Sequence, residues 1–216
     1  MSNCNVILWG GTGQAKVVAD IIGFHKIAAV FDNNMDVESP ISGIPIFYKE
    51  AGFQMWHSKI KDLNEEINYV TTIGWNKGKA REEVSRMLTC YGCRPINVIH
   101  NKAVISKSAK IGINNQILSQ AHIGADAQIG HNCIINTGSI IEHDCVLQDN
   151  VDIAPACTLL GEVVIGKNSA IGAGTVILPR IHIGENVIIG AGSIVDSDVK
   201  DNVKMICRRR EKIILN

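Results

Sequence analysis

From Ile99 onward an aliphatic residue recurs at every sixth position without a slip. The series is Ile99, Ile105, Ile111, Ile117, Ile123, Ile129, Ile135, Ile141, Leu147, Ile153, Leu159, Ile165, Ile171, Ile177, Ile183, Ile189 and Val195. With about a quarter of positions aliphatic, chance would give such a run on the order of once in 10^10 trials. A period of six fits neither an amphipathic helix nor an alternating hairpin strand. It fits a solenoid of short parallel strands with one turn per hexad. Three hexads per coil make a triangular prism, with residues 18 apart stacked at about the 4.8 Å strand spacing. Position one then fills the axis. Position five, usually Ala, Cys, Ser, Thr or Val, sits at a tight corner, with Asn115 and Ile181 as outliers. Glycines at position two (Gly112, Gly124, Gly130, Gly166, Gly172, Gly184, Gly190) are expected where turns demand an unusual φ.

Such a prism has no room for rings. All ten Phe, Trp and Tyr residues fall between Trp9 and Tyr91, and residues 92–216 contain none. Since aromatics usually carry much of a core's buried area, the first half must be built differently. Strands are expected at Asn5–Trp9, Ile27–Phe31, Ile44–Phe47, Tyr69–Ile73 and Pro95–Ile99, with helices from Gly13 to about Ile22 and from Lys77 to Leu88. Alternating strands and helices imply a small parallel α/β sheet of Rossmann type. The turn Gly10-Gly11-Thr12-Gly13 leads from strand into helix, where free N–H groups and the helix dipole make an anion site. Asp32 ends the second strand, where such folds place an acid on a ribose. The dinucleotide fingerprint is incomplete, because Lys16 stands where the third glycine belongs. The expected boundaries are 1–98 for the α/β domain, 99–200 for the prism and 201–216 for a basic tail.

The 21 basic and 21 acidic residues balance, which argues against a nucleic-acid binder. No apolar run approaches the roughly 20 residues of a membrane span. The start lacks the basic n-region of a signal peptide, so seven cysteines read as reduced thiols in a cytoplasmic protein. A metal site is not expected. Cys90 and Cys93 form a lone pair, and His122, His131 and His143 fall on different prism faces. Charge is nonetheless segregated. Between Ile111 and Gly166 stand Asp126, Glu142, Asp144, Asp149, Asp152 and Glu162 with no Lys or Arg, a field suited to a cationic ligand. From Lys167 onward the balance is basic and includes Arg208-Arg209-Arg210, which suits phosphates as well as it suits a solvated tail.

The segment richest in chemistry is Asn136-Thr137-Gly138-Ser139-Ile140-Ile141-Glu142-His143-Asp144-Cys145. His143 occupies position three, pointing out of the prism, with an acid next to it. That pair is either an ordinary surface contact or a base whose tautomer is fixed by its neighbour. The hexads together with Asn-x-x-x-x-Ile-Glu-His-acid resemble the left-handed parallel β-helix acyltransferases. Within them the chain is similar to sugar acetyltransferases that place a small nucleotide-binding domain first.

The resemblance implies an acetyl-CoA-dependent N-acetyltransferase acting on a nucleotide-linked 4-amino-4,6-dideoxy sugar for surface glycans, without a metal. It implies His143 as general base, Asp144 as its partner, Asn136 and Glu142 in support, and the Gly161 N–H as oxyanion donor. Asp152 stands where relatives carry a second His, and would contact the amine. Gly172, Ala173, Gly190 and Ala191 would line a coenzyme A groove between the prisms of a homotrimer. Gly11, Thr12, Gly13, Gln14, Asp32, Asn33, Gly74, Asn76 and Lys77 would hold the sugar nucleotide, Gln14 replacing the family's His. Ile73-Gly74-Trp75-Asn76 with Lys77 resembles the family's second nucleotide-facing loop, and Arg81 belongs either to that loop or to a solvated helix face. O-acetylation of a sialic-acid-type sugar and a non-catalytic sugar-nucleotide scaffold are the alternatives.

Overall fold

The computed structural model describes residues 5–60 and 66–206. The first domain contains β1 (Val6–Trp9), α1 (Gly13–Ile22), β2 (Ile27–Asp32), β3 (Ile46–Tyr48), α2 (Lys49–Ile60), β4 (Asn68–Thr71), α3 (Gly78–Cys90) and β5 (Arg94–Pro95). Its strands form one parallel sheet in the order β3-β2-β1-β4-β5. Leu8, Val30 and Val70 pack with Ala15, Val18 and Ala19 of α1 on one side. Trp9, Phe31 and Tyr69 pack with Phe53 of α2 and with Val84 and Leu88 of α3 on the other. The rings concentrate there, Trp9 stacking on Phe31 at 5.4 Å. Helix α2 has no counterpart in the sequence reading. It fully buries only Phe53, with Trp56 and Ile60 partly buried at i+3 and i+7, and Gly52 within it weakens the helical signal.

The remainder is a three-faced parallel β-helix. The first face stacks seven two-residue strands from Val98–Ile99 to Lys204–Met205, the second six from Val104–Ile105 to Ile194–Val195, and the third five from Lys110–Ile111 to His182–Ile183. Ladder partners lie 18 residues apart, as in His122↔Ile140. The exception is the last coil, where Ile188 pairs with Lys204. The final strand thus takes in residues given to the tail by sequence, while Arg208–Arg210 lie outside the described residues. Val98–Ile99, expected as a fifth α/β strand with Pro95, instead opens the first face.

Positions one and five fill the axis. Most polar position-five side chains donate to a carbonyl of the following coil, whereas Ser193 Oγ bonds Gly190 O of its own coil at 2.7 Å. Ser139 Oγ bonds Ala154 O at 2.9 Å and Ser169 Oγ bonds Gly184 O at 2.7 Å. The outlier Asn115 does the same through Nδ2 to Gly130 O at 2.8 Å. The position-two glycines need correction. The left-handed φ falls at position four, as at Asn114, Asp144, Gly138 and Gly174. Position two is glycine for closeness, since a Cβ on Gly124 would lie 2.8 Å from the backbone of Glu142 and His143.

Candidate functional site

The order β2-β1-β4 makes β1 a topological switch point, with a crevice beyond its carboxyl end. Gly10, in left-handed φ, lies so close to β4 that a Cβ would sit 2.5 Å from Thr72 O. This contact brings the turn after β1 against the segment after β4. Between them opens a cleft of about 430 Å³ lined by Thr12, Asp32, Asn33, Thr72, Gly74, Trp75 and Lys77, among others. Thr12 caps α1 without a side-chain bond, leaving first-turn N–H groups for an anion. Asp32 accepts the Gly11 N–H at 2.6 Å and the Asn34 N–H at 2.8 Å.

Thr12, Asp32, Asn33, Gly74 and Lys77 thus share one cleft, with Gly11 beneath Asp32 and Gly13 opening α1. Gln14 and Asn76 do not line this cleft. The Gln14 side chain is held by the prism, its Nε2 on Gln116 Oε1 at 2.7 Å, and the Asn76 backbone N–H donates to Asp152 Oδ2 at 2.8 Å.

Asp152 is not an open contact for an amine. It is 3% exposed, with Oδ1 2.6 Å from Arg81 Nη2 and Oδ2 3.2 Å from Arg81 Nη1. Burial pushes its carboxyl above the usual carboxylate range, and the guanidinium pulls it back. Arg81 is neither a nucleotide contact nor a solvated side chain. It is fully buried and also donates to Asn132 O, Ile73 O and Asn150 O, so three backbone carbonyls and the Asp152 carboxylate surround its guanidinium. This pair joins α3 to the first face of the prism. Its signal in the sequence was a charge on the buried stripe Gly78, Arg81, Val84, Leu88, where an apolar residue is the norm.

His143 lies at the corner between the second and third faces. Its Nδ1 is 2.9 Å from Asp144 Oδ2. Asp144 at position four has a φ of 58°, which places its carboxylate beside the ring. With Nδ1–H directed at the carboxylate, Nε2 is left as an acceptor. The hydrogen bond to Asp144, then the charges of Asp144, Glu142 and Glu162, raise the imidazole above its ordinary value of 6.5, against some desolvation. The ring lies over Gly161 one coil on, where a Cβ would meet Nε2 and Cε1 at 2.6 Å. Among the described residues no hydrogen bond uses the Gly161 N–H.

Asn136 is not beside His143. It stands at the other edge of the second face, its Oδ1 accepting the Thr137 N–H at 2.8 Å. There it lines a groove of about 540 Å³ with Gly172, Ala173, Gly190, Ala191, Lys204 and Trp75, among others. Small residues and backbone along this groove suit a slender chain such as the pantetheine arm of coenzyme A. Trp75, which the resemblance places in the second nucleotide-facing loop, borders both this groove and the α/β cleft. Among the described residues no group of three or more His, Cys, Asp or Glu could hold a metal, and no helix is long and apolar enough to cross a membrane.

Two family models match the prism: "Bacterial transferase hexapeptide (six repeats)" over residues 162–197 and "Hexapeptide repeat of succinyl-transferase" over residues 120–154. Among solved structures, PerB from Caulobacter crescentus, in complex with CoA and GDP-perosamine, is 30% identical, with 93% of this chain and 92% of that chain covered and a TM-score of 0.82. A substituted perosamine N-acetyltransferase from the same organism, with the same ligands, is 29% identical over 94% and 93%, with a TM-score of 0.84. The acetyltransferase domain of PglB from Neisseria gonorrhoeae, in complex with acetyl coenzyme A, shares the fold at 24% identity over 94% and 95%, with a TM-score of 0.79. No curated protein sequence matches. A described prism of unbroken hexads behind a small α/β domain, matched nearly end to end by PerB, means that the chain belongs to the hexapeptide-repeat, left-handed β-helix family of sugar acetyltransferases.

Proposed function

We propose that the protein transfers acetyl from acetyl-CoA to the amine of a nucleotide-linked 4-amino-4,6-dideoxy sugar. The observation that carries this is His143, its Nδ1 on Asp144 and its Nε2 over Gly161, which places a base and an unused N–H donor on adjacent coils. In this reading Nε2 takes a proton from the sugar amine as nitrogen attacks the thioester carbonyl carbon. The Gly161 N–H meets the oxyanion. The C–S bond then breaks, and the imidazolium returns the proton to the leaving thiolate, giving the amide and CoA–SH. Glu142, Asp144 and Glu162 set a negative field that favours a cationic acceptor over a neutral hydroxyl. The α/β cleft would hold the nucleotide, and the groove at Gly172 and Gly190 the coenzyme.

The same reading makes the active protein a homotrimer in the cytoplasm. His143 and the groove stand at opposite edges of the second face, so one chain does not bring them together. The outer residues of that face run Val104, His122, Ile140, Thr158, Val176 and Ile194, with Val104 and Ile194 60% and 69% exposed. A mostly apolar strip of this kind marks an interaction surface. A second copy seated on it would bring its groove to His143.

Thiol release measured with acetyl-CoA and a panel of GDP-, UDP- and dTDP-linked 4-amino sugars tests the function. Release with an amino sugar and none with its 4-hydroxyl counterpart is expected. Release with hydroxyl sugars alone would make it an O-acetyltransferase, and no release with any acceptor would leave a binding scaffold. Sedimentation at micromolar concentration should give three chains.

A further inference from the structure

We propose that Trp75 is a contact shared by donor and acceptor, and that through it each ligand raises the other's affinity. This deepens the function proposed above and rests on it. The indole is 46% exposed, an unusual state for the largest apolar side chain. It joins no ring pair and makes no hydrogen bond among the described residues. Its backbone, by contrast, is pinned on both sides. Ile73 O accepts from Arg81 Nη1 at 3.1 Å, and the Asn76 N–H donates to Asp152 Oδ2 at 2.8 Å.

An exposed ring on a fixed stem costs little backbone entropy to engage and offers a flat face to a ligand. Trp75 borders three hollows: the nucleotide cleft, the groove at Gly172 and Gly190, and a small hollow between them that Asn136 and Asp152 also line. A nucleotide sugar reaching out of its cleft toward the prism and a pantetheine arm in the groove would press on the same ring. Whichever binds first fixes its rotamer, so the second pays less ordering entropy. Linkage makes that gain reciprocal.

The test is calorimetric titration of the intact His143→Ala protein, in which loss of the proposed base should block turnover. Coenzyme A is titrated with and without a nucleotide-linked 4-amino sugar, in a background with Trp75 and in one with Trp75→Ala. A nucleoside diphosphate lacking the sugar is the control. With Trp75 present, the sugar nucleotide should tighten coenzyme A binding about fivefold, and the nucleoside diphosphate should not. With Trp75→Ala, both ligands should bind more weakly and the coupling factor should fall to one. Trp75→Phe should restore most of it, which excludes misfolding as the cause. Unchanged coupling in Trp75→Ala, or weakening for one ligand only, overturns the proposal. Absence of thiol release by the unsubstituted protein with every sugar would instead overturn the proposed function, leaving the binding result to stand by itself.

Discussion

The two domains solve the problem of placing a side chain in opposite ways. In the prism each residue repeats the environment of the one 18 positions earlier, so a place in the hexad fixes its direction. That is how His143 comes to lie over Gly161. In the α/β domain no environment repeats. Its cleft arises because β1 sits between β2 and β4, and because Gly10 touches Thr72. The prism supplies a side chain, His143, whose position follows from counting, while the domain supplies a cleft whose shape follows from packing. The seam between them, at Arg81 and Asp152, obeys neither rule.

The contrast is broken most completely from the prism side. His143→Ala should lower kcat by about 10³-fold, with coenzyme A binding and the unfolding midpoint unchanged. Near-normal turnover would remove the base from this corner. At the seam, Arg81→Met leaves Asp152 buried and unpaired, at a cost of about 3–5 kcal/mol in denaturant unfolding. Adding Asp152→Leu should recover most of that loss, since two apolar groups replace the ion pair. Failure to recover it would mean that the pair contributes more than mutual neutralisation.

Gly161→Ala tests stacking by count alone. The new Cβ would collide with the His143 ring, whose exposed end can swing away. The expected result is a kcat lower by roughly 10- to 100-fold at an unchanged melting temperature, read by thiol release and calorimetry. The smallest effect concerns pH. Because its acidic neighbours raise the His143 imidazole, the acid limb of kcat/KM should have its midpoint above 6.5. Protonation below that midpoint removes the base. Asp144→Asn should move the limb toward lower pH while lowering the plateau, and an unmoved limb would detach Asp144 from the titration. The same shift has a stability sign. A folded value above the unfolded one stabilises the protein below the unfolded value, and that share is lost as pH rises through the folded value.

Much of the prism was legible in the sequence, because position one and position five are choices made coil after coil. The position-two glycines mislead because a residue type says that a backbone is special, not whether through φ or through contact. In the α/β domain the strands β1 and β2 were legible as apolar runs, whereas α2 was missed because its apolar stripe, Phe53, Trp56 and Ile60, is interrupted by polar residues and only Phe53 is fully buried. Asp152 illustrates the deeper limit. As a letter in an acidic stretch it reads as a free carboxylate, yet its partner Arg81 is 71 positions away.

The sequence by itself determined the six-residue period, the ring-free interior and the pairing of His143 with Asp144, because each is local or repeats with a fixed stride. Tertiary structure alone decided that Arg81 and Asp152 neutralise one another, that Gln14 bonds Gln116 of the prism, and that Trp75 stands between two cavities. Burial and pairing there depend on which surfaces of two differently built domains meet, and no periodicity within either domain encodes that meeting.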